Sequence, residues 1–154
     1  WYFETHCFAM YYKGGYNRYM DDCVFCKIVA GDVPSQRVWE DKGHIAFLDA
    51  YPVRKGQILV VTREHRESKA FELPDLEYSA LFLAAKRVAE KLKMALGANR
   101  VLQVLEGLGV NHVHLKLFPV IDDEHEGGLV PLGSKAEELE LKEIADKIRE
   151  GGMK

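Results

Sequence analysis

His112-Val113-His114-Leu115-Lys116-Leu117-Phe118-Pro119 sets two imidazoles and an ammonium at every second position. Side chains two apart on a β-strand share a face, so His112, His114 and Lys116 line one side while Val113, Leu115 and Leu117 line the other. The apolar side can enter a core and so hold the register of the polar side. A rigid, nitrogen-rich face of this kind suits a phosphate or a metal ion. A neutral imidazole is a competent nucleophile toward phosphorus when a neighbour holds its other nitrogen. Lys116, aimed at the same place, would anchor phosphate as a point charge. The plainer reading is a solvated strand face, since His-x-His pairs are common. Against it stands the preceding Glu106-Gly107-Leu108-Gly109, whose glycines permit close backbone approach to a ligand.

Cys23-Val24-Phe25-Cys26 can present two thiolates to one metal ion, and zinc takes four soft or borderline ligands in a tetrahedron. The ligands available to complete it are His65, at the end of an apolar run, and His112. A redox pair at a helix start and two unrelated core thiols are the alternatives that residues alone leave open. Asp49, after Phe47-Leu48, could accept hydrogen bonds from a ribose diol or simply form a turn at a strand end. His6, His44 and His125 sit in polar or irregular contexts and receive no role.

Short strands are expected at Arg37-Val38-Trp39-Glu40 and Ile45-Ala46-Phe47-Leu48-Asp49, separated by Asp41-Lys42-Gly43. The continuous run Ile58-Leu59-Val60-Val61 predicts a strand buried on both faces. Pro74-Asp75 opens a helix on which Leu81, Ala84, Val88, Leu92 and Ala95 recur at helical spacing before Gly97. Val101–Leu105 and Val113–Phe118 complete the strands. Ser134-Lys135-Ala136-Glu137 reads as a capping box for a C-terminal helix to about Arg149, with Leu141, Ile144, Ala145 and Ile148 as its apolar stripe. The organisation expected is an aromatic-rich extension over 1–19 (a tag, an upstream leader or a mis-called start before Met20), a domain over 20–121, and an acidic loop plus helix over 122–154.

The 154 residues are enough for one domain with a genuine core, and 47% apolar with 29% charged residues is ordinary for a globular protein. A formal charge of -3 offers no basic field for nucleic acid, and no apolar run reaches membrane-spanning length. Three cysteines, an odd count, argue against a disulfide framework, and with no signal segment a reducing cytoplasm is the expected location.

Taken together these residues resemble the histidine triad (HIT) family of nucleotide-binding proteins. The likeness runs from about Asp22 to Val120. It is carried by Cys23 through Pro34, Val38-Trp39-Glu40-Asp41, Ile45 through Asp49, Lys55 through Val61 and His112-Val113-His114-Leu115. It implies an α+β fold, with a HIT-like five-stranded antiparallel sheet, a long helix and a C-terminal helix, paired as a homodimer. It implies a purine nucleoside phosphate as ligand, with Val24, Phe25, Ile28 and Phe47 around the base, Asp49 on the ribose and Gly109 in the phosphate loop. It assigns His114 as the nucleophile at the α-phosphorus, and Cys23, Cys26, His65 and His112 as ligands of a structural zinc.

The departures from the family pattern lie at the phosphate end. Lys116 replaces the third histidine, Gln57 stands where many members carry another histidine, and Leu105 replaces an asparagine. Lysine can hold phosphate but is a poor hydrogen-bond acceptor. The reading that follows is hydrolysis at the α-phosphorus, of a nucleoside phosphoramidate or a dinucleoside polyphosphate, through a nucleotidyl-histidine. The alternatives are a catalytically weak nucleotide sensor and a nucleotidyltransferase.

Overall fold

A computed structural model of the chain describes residues 23–121 and 136–150. The extension over 1–19, the acidic stretch 122–128 and the capping residues Ser134 and Lys135 lie outside the described residues. Two compact units divide at Asp123/Glu124.

The first unit holds α1 (Val24–Ala30), β1 (Arg37–Glu40), β2 (His44–Leu48), β3 (Ile58–Thr62), α2 (Asp75–Leu96), β4 (Arg100–Val104) and β5 (His114–Val120), with a 3-10 turn at Ala70–Glu72. The strands form one five-stranded sheet in the order β1-β2-β3-β5-β4. Every pairing in it is antiparallel. The expected α+β class and five-stranded sheet are what the chain builds.

α2 begins after Pro74, and Gly97 closes it at φ +64° with its N–H on the Lys93 carbonyl. The helix buries Leu81, Ala84, Ala85, Val88 and Leu92, three or four residues apart and therefore on one face. That face packs on Ala46, Ile58, Val60, Leu115 and Leu117 of the sheet and on Val113 just before β5. The alternate residues Ile45, Phe47, Leu59 and Val61 point to the other side and meet Phe25 and Ile28 of α1. β3 is buried at all five positions because it contributes to both layers.

α1 is an element that the sequence did not announce. It is seven residues long and carries three β-branched residues. No Ser, Thr, Asp or Asn caps it. The Cys23 thiol does so instead, accepting from the Cys26 N–H at 3.4 Å, and Gly31 ends the helix at φ +93°. β5 starts two residues later than the polar-faced run: the His112 N–H bonds the Val110 carbonyl and the Val113 N–H the Arg66 carbonyl, so His112 belongs to the approach rather than to the ladder.

In the second unit α3 spans Glu138–Glu150, beginning four residues beyond the Ser134 cap position. Leu141, Ile144 and Ile148 recur along it at helical spacing. Among the described residues no helix is long and apolar enough to cross a membrane.

Candidate active site and metal centre

Cys23, Cys26, His65 and His112 converge, their ligand atoms all within 4.8 Å of one another. The pair at the start of α1 supplies the sulfurs, and the segment after β3 and the approach to β5 supply the imidazoles. His112 Nδ1 lies 3.4 Å from Cys23 Sγ and 3.5 Å from Cys26 Sγ, and His65 Nδ1 lies 3.3 Å from Cys26 Sγ. A zinc tetrahedron with ordinary Zn–S and Zn–N bonds has ligand atoms about 3.3–3.8 Å apart, so the donor set and its spacing fit that ion.

The tautomer fits as well. His112 Nε2 faces the Thr62 carbonyl at 2.9 Å and Thr62 Oγ1 at 3.1 Å. The Thr62 hydroxyl itself donates to the Glu64 carbonyl. Nε2 must then carry the proton, which leaves the Nδ1 lone pair facing the sulfurs. Burial pushes His112 down to about 4, so the imidazole is neutral, the form that ligates metal. Burial, and then the neighbouring Cys23 sulfur, push the Cys26 thiol up to about 12. A divalent cation between the sulfurs would reverse that preference, because the thiolate is the ligand form.

His114 opens β5 opposite Val61 of β3. Its ring is 2% exposed and stands edge-on to Phe25, centroids 5.1 Å apart. Nδ1 donates to the His112 carbonyl at 2.7 Å, which leaves a lone pair on Nε2. Burial is the main influence holding the ring below the ordinary imidazole range, and Lys116 acts in the same direction. Glu106 and Asp49 act in the opposite one. The product is a fixed, neutral imidazole with Nε2 unprotonated.

Lys116, two residues along the same face, is paired with Glu106 at 2.7 Å. Asp49 follows β2 and is buried. Its carboxylate accepts from the Tyr51 N–H at 2.9 Å and from the Gln57 side-chain amide. Gln57 also accepts from the Val53 N–H at 2.8 Å. The glutamine therefore braces the 49–57 turn around Asp49. Phe25, Ile28 and Phe47 are buried in one cluster, with Val24 packed on it, and Phe25 and Phe47 meet edge to face at 5.8 Å. Gly109 is half-buried in the loop before β5.

Residues 30–121, well over half of the chain, match the HIT domain. The chain belongs to the HIT domain family. An uncharacterized HIT-like protein of Methanocaldococcus jannaschii is 36% identical over 82% of this chain and 98% of its own length. Adenosine 5'-monophosphoramidase of Schizosaccharomyces pombe is 32% identical over 82% of this chain and 98% of its own. The crystal structure of a HIT family member from Bacillus subtilis superposes with a TM-score of 0.71 at 27% identity, covering 86% of this chain and 99% of that one.

Two residues of this HIT protein's site escaped the sequence reading. Thr62, which orients His112, follows directly on the apolar Ile58–Val61 run and nothing in its local pattern marks it. Glu106 was seen only as the neighbour of a glycine. Its partner follows from the register of β4 against β5, which the sequence does not carry. At Gly107 the glycine-rich segment runs close to the Ser68 backbone. Gly107 has φ +69°, and a Cβ there would lie 2.6 Å from the Ser68 carbonyl oxygen. Gly107→Ala is expected to destabilise the domain by about 1–3 kcal/mol, measurable by urea unfolding, because both the backbone angle and the contact oppose a side chain.

Proposed function

We propose that this HIT protein binds a purine nucleoside phosphate and hydrolyses a bond at its α-phosphorus through His114. The observation that carries the reading is the hydrogen bond from His114 Nδ1 to the His112 carbonyl, which leaves Nε2 as the attacking atom in a buried ring. Nε2 forms a bond to phosphorus as the leaving group departs, and water then cleaves the nucleotidyl-histidine. Phe25, Phe47, Val24 and Ile28 offer apolar surface for the base, and Asp49 retains acceptor capacity for the ribose hydroxyls. Gly109 would line the phosphate loop. Lys116 would exchange Glu106 for a phosphate oxygen and stabilise its charge, a role worth roughly 3 kcal/mol where such donors are pre-placed.

A phosphoramidate is the leading substrate, supported by the similarity to the fission yeast monophosphoramidase. Cys23, Cys26, His65 and His112 would hold one zinc ion per chain, which pins α1 to the segments after β3 and before β5. Thiolate ligands of this kind suit a reducing, cytoplasmic compartment. A homodimer is the expected assembly.

The test is to quench turnover of adenosine phosphoramidate in acid-free denaturant and analyse the protein by mass spectrometry. A nucleotidyl adduct on His114 is the expected result. AMP binding with no turnover and no adduct would instead identify a nucleotide sensor, a reading favoured by the ion pair that occupies Lys116. Product formed only when a sugar phosphate or inorganic phosphate is supplied would identify a transferase.

A further inference from the structure

The phosphate end of the site carries a carboxylate that the reading above leaves without a task. β4 and β5 pair Leu102 with Phe118, Gln103 with Leu117 and Val104 with Lys116. Glu106 lies two residues beyond Val104, past the last pair of the ladder, and its carboxylate reaches the Lys116 ammonium. The contact is made: Lys116 Nζ and Glu106 Oε2 are 2.7 Å apart, with the lysine side chain 14% exposed. The loop bearing Glu106 is held from behind by Gly107 against the Ser68 backbone, and the Asn111 side chain accepts from the Ser68 N–H at 3.0 Å. Glu106 is thus placed by the fold.

The charge balance around His114 follows from that placement. Lys116 and Glu106 form an ion pair on the His114 side of β5, and the Asp49 carboxylate is a further charge whose field reaches the ring. One ammonium faces two carboxylates, and the ammonium is already paired. A phosphate chain extending beyond the α-phosphorus adds negative charge at about 3 Å per phosphate, well inside a Debye length of about 8 Å at physiological salt. Each added phosphate is therefore repelled by Glu106. A single α-phosphate bearing a neutral or cationic amine is not penalised in this way, and a departing amine that takes up a proton meets a favourable field.

We propose that Glu106 is a specificity-determining residue, whose negative charge beside Lys116 biases the site toward nucleoside monophosphate derivatives with uncharged or cationic leaving groups and against polyphosphates. The proposal rests on the nucleotide-binding reading and goes on to select within its substrate class.

The experiment is calorimetric titration of the full chain with AMP and with ATP in magnesium-free buffer, comparing wild type, Glu106→Gln, Glu106→Asp and Glu106→Lys. Wild type is expected to bind AMP more tightly than ATP. Removing the charge in Glu106→Gln should shrink the AMP-over-ATP ratio by about fivefold, the scale of a unit charge several ångströms away in a mostly aqueous setting. Glu106→Lys should shrink it further, and Glu106→Asp should retain most of it. A merely structural role would weaken both ligands together and leave the ratio unchanged, which would overturn the proposal. A second measurement needs no variant: raising sodium chloride should bring the wild-type AMP and ATP affinities together, and a salt-independent ratio overturns the proposal equally. Should wild type bind no AMP, the nucleotide reading falls and this inference with it. AMP binding with an unmoved ratio overturns this inference alone.

Discussion

Alanine in place of His114 is expected to lower kcat for adenosine phosphoramidate hydrolysis by about 10³-fold or more, as loss of a covalent nucleophile does. The change should fall on kcat rather than on AMP affinity. Phe47 and Asp49 are held by contacts that do not include His114, and Phe25 keeps its edge-to-face contact with Phe47 when the imidazole is lost; Tyr51 and Gln57 bracket the carboxylate. Removing the ring leaves the His112 carbonyl without its side-chain donor and a small void beside Phe25, at a cost of about 1–3 kcal/mol. A folded variant is therefore expected, and its circular dichroism and AMP titration serve as controls. Stopped assays on the two proteins decide the matter. Equal turnover would falsify the assignment of His114 as nucleophile.

The second large effect concerns the metal centre. Cys23→Ser/Cys26→Ser is expected to lose about one zinc per chain by metal analysis and to lower stability by about 3 kcal/mol or more. For a domain of this size that corresponds to a fall in Tm on the order of 10 °C. These four side chains tie the start of α1 to the segments that carry His65 and His112, so losing the ion frees that end of the helix from them. The Cys23 thiol also caps α1, and serine can take over that capping bond. The expected loss is then attributable to the ion and not to the cap. A variant without metal but with wild-type Tm would show that the site is not structural. The same variant should lose turnover through the His112 backbone, since the carbonyl that orients His114 belongs to a residue proposed to hold the zinc.

Much of this was legible in the chain itself. Alternation along 112–117 separates Val113, Leu115 and Leu117, which enter the core under α2, from His114 and Lys116 on the opposite face. The helical stripe from Leu81 to Leu92 and the unbroken apolar run of β3 carried the layers in the same way, because periodicity reports which side chains must leave water. The cysteine pair and the histidines could be named as candidate ligands from their chemistry alone.

What the sequence by itself determined is therefore the set of elements, their buried faces and the residue types able to act on phosphorus or hold a metal. Only the tertiary structure decided which of those residues meet. His65 and Cys26 are far apart in the chain yet 3.3 Å apart in space, and no local pattern encodes that approach. α1 was invisible because its cap is a thiol and its length is short, so packing of Phe25 and Ile28 on the sheet, rather than helix propensity, holds it. Gln57 braces Asp49, a contact that no local pattern announces. Glu106 acquired its partner only once β4 lay beside β5. The physical reason is common to all four: faces are set by local periodicity, whereas partners are set by strand register and by chain segments brought together across the fold.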